Sequence, residues 1–150
     1  MVFGLPSTPF GCTNEKNRVY YSYAKWVDDK KMKESRNPHE KLISEYARLS
    51  DLYGDAIETG NHKKANKAYD ELMAVYQQIK AQGALTSDAF HELLSAPSMG
   101  TRLWAATHYL VISHEESEKV LTALGEVSNS LLAVSAKMTL DEWKKGNLIL

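Results

Sequence analysis

From Pro38 onward the apolar residues recur at intervals of three and four, first as Leu42, Tyr46, Leu49, Tyr53 and Ile57. At 3.6 residues per turn this spacing gathers them on one side of a helix. Asn37 suits the capping position, and Pro38 suits the first helical position, where an N–H would have no partner. This helix ends near Gly60. Asn61 can cap a second, in which Ala65, Tyr69, Leu72, Tyr76 and Ile79 repeat the pattern until Gly83 stops it. A shorter helix follows Ser87, with Phe90, Leu93 and Leu94 inward, and closes before Pro97, because the residue ahead of a proline is steered out of the helical region. Thr101 to Ile112 reads as the next, burying Leu103, Trp104, Thr107, Leu110 and Val111. Ser113 with Glu116 and Thr139 with Glu142 both fit a capping box and predict two further helix starts. Between them Val120, Leu121 and Leu124 belong to one helix and Leu131, Leu132 and Ser135 to another, across a turn at Gly125 to Asn129.

The expected fold class is therefore all-α, with about seven helices and short connections. Each is too thin to bury its apolar face alone, so antiparallel helical hairpins stacked into a right-handed superhelix, a short α-solenoid, are the economical solution. That domain spans 38–150. Residues 1–37 differ: Gly4, Pro6, Pro9 and Gly11 mark an irregular N-terminal arm, and Val19 to Val27 fits a short strand as well as a helix start. Met32 reads as a natural start, which makes residues 1–31 an extension of a complete domain.

Charge adds little to the fold but something to the choice of partner. The 150 residues are 43% hydrophobic and 25% charged with a net charge of -1, which excludes a bulk polycation that would drive nucleic-acid or anionic-membrane binding. Seven basic and four acidic residues before Pro38 give the arm +3 and leave -4 on the rest. A single cysteine, Cys12, excludes an internal disulfide and suits a reducing compartment. No basic segment followed by an apolar run opens the chain, and no stretch approaches the roughly 18 apolar residues of a membrane span. A cytoplasmic protein is the expectation.

Three passages carry a resemblance: Ala65-Asn-Lys-Ala-Tyr-Asp70, Thr101-Arg-Leu-Trp-Ala-Ala-Thr-His108 and Leu132-Ala-Val-Ser-Ala-Lys-Met-Thr-Leu-Asp-Glu-Trp-Lys-Lys-Gly146. In order and spacing they resemble a family of small bacterial proteins of unknown function built from HEAT-like helical repeats, over roughly residues 40–148. Pro97-Ser-Met-Gly-Thr-Arg102 departs from the usual Pro-x-Val-Arg of such repeats at the Val position. The resemblance implies a HEAT-like α-solenoid. It also suggests a role found in proteins of this class, often encoded near secreted toxins: an immunity protein that neutralises a cognate toxin by occluding its surface.

No constellation nominates an enzyme. A Gly-x-Ser-x-Gly elbow, a phosphate-binding loop and a Gly-x-Gly-x-x-Gly turn are all missing from the sequence. The five histidines, at 39, 62, 91, 108 and 114, lack the four-residue spacing of a helical metal pair, so no metal and no cofactor is expected. His108, near the Trp104 face, fits a hydrogen-bonded structural role, and Trp104 and Trp143 read as core anchors. Glu115 and Glu116 are explained by the helix dipole.

Partner binding is assigned instead to Tyr20, Tyr21, Tyr23 and Trp26, which lie outside the helical pattern and are of the types favoured at interface hot spots. Asp51, Asp55 and Glu58 form an acidic stripe on the first helix that suits a basic partner such as a nuclease toxin. Asn66, Asp70 and Arg102 make a possible polar patch, or an Arg102–Asp70 pair tying two helices together. A scaffold or adaptor is the alternative function. So is nucleic-acid binding through Lys25, Lys30, Lys31, Lys33 and Arg36 interleaved with the aromatic rings, although Asp28, Asp29 and Glu34 interrupt that run.

Overall fold

The structure is a computed structural model and describes residues 38–150. The N-terminal arm, with Cys12, Met32 and the strand-or-helix segment Val19 to Val27, lies outside the described residues. Every regular element among those described is helical: α1 (Pro38–Glu58), α2 (His62–Ala81), a 3₁₀ turn (Ala84–Thr86), the short α3 (Asp88–His91) continuing as a second 3₁₀ turn (Glu92–Ser95), α4 (Met99–Tyr109), α5 (His114–Gly125) and α6 (Leu131–Lys145). No described helix is long and apolar enough to cross a membrane.

The boundaries follow from local chemistry. Gly60 and Gly83 adopt φ of +76° and +68°, the left-handed conformation that glycine enters without steric cost, and each lies just beyond a helix. Asn61 Oδ1 accepts a hydrogen bond from the Lys64 N–H at 3.1 Å. Serines cap the later helices in the same way, Ser87 at Phe90, Ser98 at Thr101 and Ser130 at Ala133.

Three boundary expectations are corrected. Thr139 does not start a helix; it sits inside α6, which runs unbroken from Leu131 to Lys145 between the caps Ser130 and Gly146, so the described residues hold six α-helices. A Thr-x-x-Glu spacing also occurs within a helix, and here no break in the backbone precedes it. α4 begins at Met99 under the Ser98 cap and closes at Tyr109, leaving Val111 53% exposed. At α5 only half of the capping box forms. Ser113 Oγ accepts from the Glu116 N–H at 3.5 Å, while the Glu116 carboxylate turns to His91 Nε2 at 2.7 Å.

α1 packs against both α2 and α4, whose aromatic side chains also meet each other, while α5 and α6 pack together and against α4 and α1. α4 is the centre of the protein, with Gly100, Thr101, Leu103, Ala105, Ala106, Thr107, His108 and Tyr109 all buried. Its crossing with α1 is made by small residues. A Cβ on Gly54 would come within 2.9 Å of the Gly100 Cα, and one on Gly100 would drive into the Ser50 carbonyl oxygen. Buried hydroxyls satisfy each other at that crossing: Thr101 Oγ1 donates to the Ala47 carbonyl at 3.1 Å and lies 3.1 Å from Ser50 Oγ.

Candidate functional site

Aromatic residues recur at two-turn spacing on α1, as Tyr46 and Tyr53, and on α2, as Tyr69 and Tyr76; α4 adds Trp104 and His108 one turn apart. Side chains so spaced project from one side of a helix. The three helices bring these six rings together in two tiers.

The inner tier is Tyr46, Tyr76 and His108, all buried. Tyr76 stacks on His108 with centroids 3.6 Å apart and planes within 8°, and Tyr46 Oη lies 2.6 Å from His108 Nδ1. A neutral imidazole accepting the tyrosine proton satisfies that contact. Burial pushes His108 from 6.5 down to about 3, and the positive charge of Lys80 acts in the same direction. Burial also holds the Tyr46 phenol well above its ordinary value. Lys80 Nζ sits 5.5 Å from the Tyr76 ring, a cation–π contact. His108 is thus the hydrogen-bonded structural histidine expected from its position beside Trp104.

The outer tier reaches the surface. Trp104 is half-buried and meets Tyr53 edge-on at 5.3 Å and Tyr69 at 5.7 Å, and Tyr69 is 41% exposed. Trp104 and Trp143 are both half-buried and packed against the core, as expected of anchors, and Trp104 also extends from the core towards solvent. Beside these rings an open cleft of about 240 Å³ lies between α1, α4 and α6, lined by Tyr53, Leu103 and Trp104 on one side and by Ser135, Met138 and Thr139 on the other, with Thr107 between. Such a surface offers apolar contact, ring edges and a few hydroxyls, a chemistry that suits recognition by burial. Among the described residues no group of three or more His, Cys, Asp or Glu is placed to hold a metal ion.

The residues singled out in the sequence fare differently. Tyr20, Tyr21, Tyr23 and Trp26 lie outside the described residues. Asp51 is half-buried and Asp55 exposed on α1. Glu58, the third member of that stripe, is committed within the chain: its carboxylate accepts from Ser130 Oγ at 2.6 Å and from the Leu131 N–H at 2.7 Å, so α1 caps α6. Glu58→Ala is expected to cost about 1 kcal/mol, as loss of a helix cap does. The faster hydrogen exchange that accompanies it should be confined to the first turn of α6, with Glu58→Gln intermediate.

Asn66 and Asp70 are exposed on α2, but Arg102 does not join them. Arg102 is half-buried, no described ion pair links it to Asp70, and its buried Nε has no hydrogen-bond partner. The reason is angular: Arg102 is two residues from Trp104 and so about 200° round α4, while α2 meets α4 through the Tyr69–Trp104 contact. Burial lowers the Arg102 pKa. Tyr53 and Tyr69 were legible only as periodic apolar positions; their signal was that the same positions on neighbouring helices were repeatedly tyrosine.

These features define an all-α protein with an aromatic face on its surface. The chain belongs to the family described as Domain of unknown function (DUF2019), whose model matches residues 40–144, from the first turn of α1 to the last turn of α6. No curated protein and no solved structure matches it.

Proposed function

We propose that this protein is a non-enzymatic binding module, a short HEAT-like stack in which α1–α2 and α5–α6 act as antiparallel hairpins around α4. It seats a protein partner on the aromatic face. The observation that carries this reading is the convergence of Tyr53, Tyr69 and Trp104, from three different helices, beside an open cleft. Tyrosine and tryptophan supply large contact area at low cost in side-chain entropy, and they dominate interface hot spots. The rings are held by neighbours on three helices, so little ordering is needed on binding. The partner class we favour is a bacterial toxin, neutralised by steric cover of its active or docking surface. Asp51 and Asp55, each two residues from Tyr53 and so about 200° round α1, lie off the aromatic face, where they favour the approach of a basic partner at long range rather than contact it.

The test is affinity capture from a lysate of the host with the full chain and with Tyr69→Ala, a change at a 41%-exposed ring that leaves the inner tier intact. The expected result is recovery of one protein in stoichiometric amount, its toxicity blocked, with affinity falling about 30-fold or more in the variant, as for a hot-spot ring. Equal capture by both proteins would remove the aromatic face from the interface. Capture of nucleic acid would favour the N-terminal arm, and a multiprotein assembly would favour an adaptor.

A further inference from the structure

The cleft beside the aromatic face has two unlike walls. Tyr53 of α1 with Leu103 and Trp104 of α4 makes one, and Ser135, Met138 and Thr139, at i, i+3 and i+4 on α6, make the other. No charged side chain lines it. An ionised group entering it would give up hydration with no counter-ion in return, so the matching occupant is uncharged. The volume of about 240 Å³ falls below the roughly 300–1,000 Å³ of sites that enclose a whole small molecule. It suits one inserted side chain.

The walls also select the kind of side chain. Tyr53 and Trp104 stand 75° to one another at 5.3 Å, a pair that a third ring can extend by edge-to-face or offset contact. Met138, 62% exposed, offers a thioether, which gains from contact with a ring. The hydroxyls differ in what they have left to give. Thr107 Oγ1 donates to the Leu103 carbonyl at 2.7 Å, as helix hydroxyls commonly do. Ser135 and Thr139, one turn apart and both half-buried, share no side-chain hydrogen bond with any described residue. We propose that this cleft seats a tyrosine of the protein partner, its ring against Tyr53, Trp104 and Met138 and its hydroxyl on Ser135 and Thr139. A phenylalanine would fill the same space and leave both hydroxyls unpaired. The tyrosine seat rests on the partner-binding reading and gives the partner its anchor residue.

p-Cresol and toluene, the side-chain analogues of tyrosine and phenylalanine, test the seat on the full chain without any partner. NMR of the Met138 methyl and the Trp104 indole N–H should show saturable p-cresol binding with a Kd of about a millimolar. Toluene should bind about fivefold more weakly, the difference one hydrogen bond makes. Ser135→Ala together with Thr139→Val removes both hydroxyls and nearly keeps the shape. It should bring p-cresol down to the affinity of toluene and leave toluene unchanged, whereas a general loss of packing would move both probes together. No binding of p-cresol, equal affinities for the two probes in the wild type, or tighter binding of n-butylammonium, the lysine analogue, would overturn the proposal. Once the partner is captured, p-cresol at ten times its Kd should weaken its binding about tenfold by competition, and the double variant should weaken it about fivefold. Capture that depends on Tyr69 but ignores both changes would keep the aromatic face as the interface and remove the tyrosine from the cleft.

Discussion

Gly100→Ala is expected to destabilise the protein by about 3 kcal/mol, at the upper end of the range for overpacking. The added methyl would meet the Ser50 carbonyl oxygen and approach the Gly54 Cα at 3.1 Å, and both are main-chain atoms of α1. A backbone atom cannot swing aside as a side-chain end can, so α1 and α4 must separate. Separation would strain the Thr101–Ala47 and Ser50–Thr101 hydrogen bonds and leave the buried Thr101 hydroxyl short of partners, whereas Ser50 keeps its bond to the Tyr46 carbonyl at 2.8 Å. Gly125→Ala is the control. Its methyl would meet the Lys137 Cγ at 2.9 Å, a side-chain atom that a change of rotamer can move where main chain cannot, so the change should cost about 1 kcal/mol or less, well below Gly100→Ala. Urea unfolding of the two variants decides the matter, and equal stability would refute the close crossing.

Acid sensitivity centred on His108 is the second large effect. Its pKa in the folded protein is about 3, against an ordinary 6.5. Between these values the unfolded chain binds a proton that the folded chain refuses. The stability contributed by keeping His108 neutral is therefore fully present above pH 6.5 and is lost as pH falls towards 3, by at most about 1.4 kcal/mol per pH unit. Tyr46→Phe together with His108→Phe removes the titration and replaces both hydrogen-bonding partners by apolar rings of similar shape, a pairing that can be close to neutral when both partners go. Relative to the wild type, this double variant should gain about 2 kcal/mol on going from pH 6.5 to pH 5. Urea denaturation at a series of pH values measures it, and parallel pH profiles would show that His108 titrates normally.

The same two sites show where sequence reading reaches and where it stops. The caps at Asn61 and Ser113, the helix after Ser87 and the stops at Gly60 and Gly83 were legible because each rests on contacts between residues within a few positions of one another. The periodic Tyr46, Tyr53, Tyr69 and Tyr76 were legible as one face of each helix for the same reason, but Tyr69 on that face is 41% exposed rather than inward. Thr139 misled because its signature is local too, and a continuous helix satisfies the same spacing.

Glu58 looked like exposed acidic surface, yet it caps a helix that begins at Leu131, and nothing near Glu58 in the chain encodes that contact. Arg102 and Asp70 looked like a pair until the helix angle between Arg102 and Trp104 placed the arginine elsewhere. Sequence by itself determined that this protein is helical, where most of its helices begin and end, and which side of each turns inward. Only the tertiary structure decided that α1 and α4 cross on Gly54 and Gly100, that His108 is buried between two tyrosines, and that three rings emerge together beside a cleft. The physical reason is that helix formation is governed by interactions across three or four residues, whereas burial, proton affinity and surface shape depend on which distant helices meet.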